Sequence, residues 1–319
     1  MTNSEADSSS PQTDGYAPLN PFSTGLVVFT VLLWGGNAVA NQFVMDALPP
    51  VFVGGARFAL ASVFMLLWCR MEGSPLWISN KAGWQCASIL GFLNFAQIAT
   101  FCVGIAYSNT SHTTLLVNSY VFWVAFYEVW ILRTVRFRWW QTFGLLVAGF
   151  GCLLLVMESS SKSSSSLDEV TLFGDIVLAC SGLILAIKVI YTKHAVRFAP
   201  TGTLILWHDI IGSLLLFAWA FLLEDIKPVM PPASAWFGLF YVGVLVSGFC
   251  FAANAWLLKR HGASQISVFS FGTPICGVIL GVLLRGDQLS SVLIAAGTCV
   301  VGGIYLTNLQ PRKKVTYVG

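Results

Sequence analysis

Among the side chains that carry charge, or can carry it, inside apolar sequence, four stand out: Arg57, Lys188 and the adjoining His208 and Asp209. A charge at the middle of a bilayer costs about 2.5–3.5 kcal/mol on insertion scales, so each of them needs a partner or water. Arg57 could hold a substrate carboxylate or phosphate through two parallel N–H donors. It could equally snorkel to the surface or pair with a carbonyl. Lys188 and Asp209 fall at similar depths on consecutive antiparallel stretches. That placement predicts a buried charge pair, with snorkelling of Lys188 as the bland alternative. Histidine titrates near neutral pH in water, which makes His208 and Asp209 the candidate site for proton coupling.

Uncharged polar residues recur at helical spacing. Trp34, Asn37 and Asn41 stand at i, i+3 and i+7 and share a helix face. Asn94 and Gln97 pair in the same way, as do Ser247 and Asn254, and Ser267, Ser270 and Thr273-Pro274. Asn118 and Tyr120 add to the set. Such stripes predict a common polar cavity, although hydrogen bonds between helices would use the same residue types. Trp34, Tyr120, Trp207 and Trp256 could supply an apolar wall suited to an amphiphilic substrate. The candidate substrate site is these polar stripes with their aromatic wall, and Arg57 as counter-charge.

Other chemistries find little support. The eight cysteines stand singly with no Cys-x-x-Cys pair, and read as small packing residues. There is no His-x-x-His, no Asp-x-x-Asp cluster and no Ser/His/Asp set at one depth. Neither an enzyme, nor a metal, nor a cofactor is expected. The net charge of +3 is too small and dispersed for nucleic acid.

The elements that must position these groups follow from composition. Of 319 residues, 56% are hydrophobic and 10% charged, against about 25% charged in soluble domains. Runs of roughly 20 apolar residues cross a bilayer as helices. Ten are expected, at 22–43, 50–70, 84–106, 113–131, 139–157, 173–192, 203–223, 234–257, 264–284 and 289–309. The chain is thus expected to be an all-α integral membrane protein. Five spans precede the Ser-rich linker 158–172 and five follow it, with polar tails at 1–21 and 310–319. Twelve of the 17 Lys and Arg residues fall on one side, with both tails, and three on the other. The positive-inside rule puts both termini in the cytoplasm, across a plasma (inner) membrane. Sliding the first half by 153 positions lays Ser111 on Ser264, Gly144 on Gly297 and Gly149 on Gly302. Five helices is an odd number, so a repeat enters with opposite polarity, giving two inverted five-helix repeats as in many secondary transporters. The stripes Gly144/Ala148/Cys152 and Ala295/Cys299/Gly303 should let the fifth and tenth helices brace the bundle.

Leu33-Trp34-Gly35-Gly36-Asn37 resembles the opening of EamA-type proteins. Ala106-Tyr107-Ser108-Asn109-Thr110-Ser111 is similar to that family's turn before its fourth helix. Thr273-Pro274 followed by Arg285-Gly286-Asp287 resembles its ninth-helix Pro and the acidic turn after it. Val121 and Arg133-Thr134 depart from the pattern in the first half. The resemblance spans about 22–309 and implies the drug/metabolite transporter superfamily, with ten helices in two EamA domains. It implies export of amino acids or related metabolites, and an arginine beside the cavity where Arg57 stands. Import of a sugar-linked or phosphorylated metabolite and a non-transporting scaffold are the alternatives.

Overall fold

The computed structural model describes residues 19–131, 138–161, 170–226, 230–261, 266 and 268–308. Within them every regular element is a helix. Seven stretches are long and apolar enough to cross a membrane: 21–45, 50–72, 81–106, 139–158, 172–195, 201–223 and 233–257. Two shorter apolar helices, 272–285 and 291–307, follow.

The first stretch is α1 (Pro21–Gly35) and α2 (Asn37–Met45), interrupted at Gly36. A Cβ on Gly36 would lie 2.5 Å from the Tyr241 hydroxyl. That hydroxyl donates to the Leu33 carbonyl at 2.8 Å, so the interruption is where a distant helix docks. Then come α3 (Pro50–Glu72), which ends at Gly73 with φ +74°, and α4 (Lys81–Ala106). α5 (Thr110–Asn118) and α6 (Tyr120–Phe126) meet at Ser119 and run into a π-helical turn, Tyr127–Ile131. The hydroxyl-rich start of α5 and this break distinguish the stretch from the seven long apolar ones. α7 (Trp139–Ser161), α8 (Leu172–Ala195) and α9 (Thr201–Leu223) are continuous. α10 (Ala233–Phe240) and α11 (Phe251–Arg260) flank a wide π-helical segment, Tyr241–Cys250. A 3-10 turn (Val268–Phe271) leads into α12 (Gly272–Leu280), the π turn Gly281–Arg285 and α13 (Ser291–Asn308).

Side-chain caps fix several helix starts. Asn20, Asn80, Asn109 and Thr171 accept the N–H groups of Ser23, Gly83, His112 and Gly174, each satisfying a donor the helix itself cannot. The cap of α3 comes from elsewhere: the Glu224 carboxylate, just past α9, accepts Val51 N and Phe52 N at 2.8 Å each. The expected brace is present. α7 and α13 pack along their length, with Gly303 against Gly144 and Ala148, and Gly151 against Ala296 and Cys299. Two expected boundaries move. Glu158, read as the start of the linker, is still in α7, and Pro21, read as tail, opens α1. Linker residues 162–169, Ser264, Ser267 and the basic tail lie outside the described residues.

Candidate functional site

Small residues let α3 and the wide segment 241–250 touch. Gly243 lies against Leu60 and the Arg57 carbonyl, and Gly248 against Phe64. This contact brings buried Ser247 to buried Arg57, whose Nε donates to Ser247 Oγ at 2.5 Å. The guanidinium stays inside the bundle, 5.1 Å from the Phe58 ring centroid, so Arg57 does not snorkel.

Lys188 is held from α4. Its Nζ donates to Asn94 Oδ1 at 2.9 Å and Gln97 Oε1 at 3.3 Å. Gln97 in turn donates to Ser181 Oγ at 3.2 Å, and Ser181 Oγ donates back to the Gln97 carbonyl at 2.9 Å. Gly212 leaves room for Asn94 against α9. The expected contact pair between Lys188 and Asp209 is therefore replaced: the ammonium turns to two amide oxygens. The amides lie on the face that α4 already presses on α8, so they reach the ammonium.

Asp209 is 1% exposed, and neither of its oxygens accepts a hydrogen bond. His208 Nδ1 lies 2.9 Å from Oδ1, close enough for an ion pair but without hydrogen-bond alignment. Asn94 Nδ2 is likewise buried and unpartnered. Buried unsatisfied groups are uncommon and costly, and here they sit together: an acceptor at Asp209, a donor at Asn94 and two fixed cations.

A cavity of about 420 Å³ lies between the C-terminal half of α8, the start of α9 and the first turns of α11. Lys188, Lys193, His208 and Asn254, with Thr192 and Thr201, supply its polar lining, and Leu185, Ile205 and Phe251 much of its apolar wall. This is the size of a small-metabolite site, apolar with a few convergent polar groups.

The remaining candidates distribute around this centre. Trp34 packs edge-on to Phe251, 6.1 Å between ring centroids, and so backs the cavity wall. Asn41 is fully buried and donates to Asn37 O and Oδ1 at 2.7 and 3.1 Å, so that stripe is partly self-satisfied. Asn118 donates to the Thr114 carbonyl within its own helix. Tyr120 and Ser270 are half-buried and do not line the cavity. Trp207 stands apart from it. Its indole N–H donates to the Leu76 carbonyl at 2.9 Å, and its ring stacks edge-on with Trp77 and Trp84.

A second polar cluster, at the opposite end of α8, was not singled out by sequence reasoning. His112 Nδ1 lies 2.8 Å from Asp175 Oδ2, and Nε2 lies 4.0 Å from Glu158 Oε2. Ser108 Oγ donates to Asp175 Oδ1 at 2.7 Å and Ser290 Oγ to Glu158 Oε2 at 3.2 Å. Asp287 Oδ2 accepts both Ser111 N and Oγ, at 2.7 and 2.6 Å. Arg285 grips Asp46 with two N–H donors, and Gln42 joins Thr110. The signal available was a histidine inside the run Thr110–Thr114 and a lone Asp175 in an apolar helix.

Known proteins match this arrangement. The EamA-like transporter family fits residues 22–157 and again 172–309. The chain belongs to that family and is an integral membrane protein. The uncharacterized transporter YoaV of Bacillus subtilis is 22% identical over 91% of this chain and 98% of the relative. A protein named probable amino-acid metabolite efflux pump in Escherichia coli is 20% identical, over 91% of this chain and 96% of that one. A solved crystal structure shares the fold with a TM-score of 0.65 and 17% identity, covering 90% of this chain and 97% of its own.

Proposed function

We propose that this protein is a secondary transporter that exports amino acids or related amphiphilic compounds by alternating access. Two five-helix halves, 22–157 and 173–309, entering with opposite polarity, would rock about the polar centre, with both termini in the cytoplasm of a cell's plasma (inner) membrane. The observation that carries the reading is the cavity reaching Lys188 and His208 beside the unpartnered Asp209 and Asn94 groups. An amino acid supplies what is missing there. Its carboxylate answers Lys188 and Arg57, its ammonium answers Asp209, and its apolar side chain fits the Leu185–Ile205–Phe251 wall. The names of the efflux-pump relatives point the same way.

Import of a phosphorylated or sugar-linked metabolite is the second reading, with Lys188 and Lys193 as the cavity's cations. The test is metabolite profiling of the medium from cells expressing the wild type or Asn37→Leu at equal membrane abundance. An amine-bearing acid enriched outside only with the wild type supports export. Identical media from the two strains would count against it.

A further inference from the structure

The cluster around His112 lies at the end of the bundle away from the cavity, and it joins three helices. His112 is on α5, Asp175 opens α8 and Glu158 is in the last turns of α7. All three side chains are nearly buried, with His112 4% and Asp175 0% exposed. The contact to Asp175 links a residue before the Ser-rich linker to one after it. Ser108–Asp175, Ser111–Asp287 and Arg285–Asp46 cross between the same two parts of the chain. This end is therefore held shut by a polar seam, while the other end contains the cavity.

The two ring nitrogens of His112 are not equivalent. Nδ1 already has Asp175 at hydrogen-bond distance, so a neutral ring serves that contact as the Nδ1–H donor. Nε2 then presents a lone pair toward the Glu158 carboxylate 4.0 Å away, which is not a hydrogen bond. One proton at Nε2 turns that acceptor into a donor aimed at a carboxylate. We infer that His112, Asp175 and Glu158 form a proton-binding latch: a proton taken from solvent onto His112 Nε2 draws Glu158 in and locks this end of the bundle closed.

Among the described residues of the elements packed on α5, α8 contributes Asp175 and α7 contributes Glu158 at the ring. The π turn 281–285 and the residues after it bring Arg285 and Asp287, the first engaged by Asp46 and the second by Ser111. α2 has no titratable residue, α12 has Cys276, and α13 has Cys299 and Tyr305. α4 has Cys86 and Cys102, with Lys81 at its far end. The sign follows: closure is strongest in acid and relaxes as pH rises and the proton leaves. An exporter with such a latch would reopen to the outside less readily in an acidic medium, whatever its substrate.

Hydrogen exchange on the full-length protein in nanodiscs tests this without a substrate. Backbone protection is compared at about pH 5.5 and about pH 8, after correction for intrinsic exchange rates. In the wild type, segments 107–115, 172–180 and 285–291 should gain about tenfold protection in acid, the worth of one charge-assisted hydrogen bond. Segments 140–152 and 295–305 of the α7–α13 contact, which hold no His, Asp or Glu, serve as the internal reference. His112→Asn keeps a donor toward Asp175 but cannot be protonated, and should lose the pH response. Glu158→Gln keeps an acceptor for Ser290 without the charge, and should lose it too; it carries the test alone if His112→Asn does not fold. A wild type with equal protection at both pH values overturns the latch. So does a folded variant that keeps the full response.

Discussion

The Lys188 ammonium reaches from α8 to Asn94 on α4, 2.9 Å from its Oδ1. That bond fixes a buried cation at the edge of the cavity and leaves the Asn94 amide nitrogen without a partner. Lys188→Met removes the charge and strands two amide oxygens. Efflux should fall at least about tenfold at matched membrane abundance, the factor for one lost charged hydrogen bond. Lys188→Arg should restore little, because a planar fork does not match two separate amide acceptors. Efflux assays on the three proteins decide it.

Asp209 is buried beside His208, 2.9 Å from its Nδ1, and accepts no hydrogen bond from Lys188 or Arg57. Asp209→Asn leaves two buried cations uncompensated and should lower the thermal midpoint in detergent. Breaking buried charge pairs costs about 3–5 kcal/mol, and a through-space partner should lie at or below the low end. The double variant Lys188→Met/Asp209→Asn should be less destabilised than the two single effects added together. Strict additivity in that cycle would show the two groups to be uncoupled.

Arg57 and Ser247 join α3 to the wide segment of the eighth stretch at 2.5 Å. Ser247→Ala should destabilise the protein by about 1.5–3 kcal/mol, the range for hydrogen bonds to charged groups. Ser247→Thr should keep the hydroxyl and most of the stability. Thermal unfolding followed by tryptophan fluorescence would separate the two.

Gly36 and Tyr241 form the docking point of the interrupted first stretch. Gly36→Ala should push the Tyr241 hydroxyl off Leu33 O and reduce folded yield. Adding Tyr241→Phe removes the colliding oxygen and should recover part of it, measured as the monodisperse fraction after extraction. Worse yield from the double variant would place the clash elsewhere.

Much of the fold can be read from apolar run length. The second stretch was expected at 50–70 and forms at 50–72, and the seventh was expected at 203–223 and forms at 201–223. Small residues spaced by four anticipated the α7–α13 contact. Depth was also legible, since Lys188 and Asp209 do lie near one another. What periodicity lacks is partner identity. It places a residue on a face but does not say which neighbour reaches it first, so the amides of Asn94 and Gln97 took the ammonium assigned to Asp209. The same holds for Trp207: its face meets Trp77 from the loop before α4 and Trp84 in the first turn of α4. His112 was missed because the fourth span was expected to begin at 113, one residue too late. Its partner Asp175 is 63 positions along the chain, beyond any local pattern.

Transport of an amine-bearing acid through the Lys188 site is the central claim, and counterflow in proteoliposomes tests it most directly. Vesicles are loaded with a single unlabelled amino acid and offered the same labelled compound outside, across the proteinogenic set. At least one amphiphilic amino acid should accumulate transiently with the wild type, and not with Lys188→Met protein of equal thermal stability. Counterflow that is equally strong in both proteins, or absent for every amino acid with the wild type, would contradict the account.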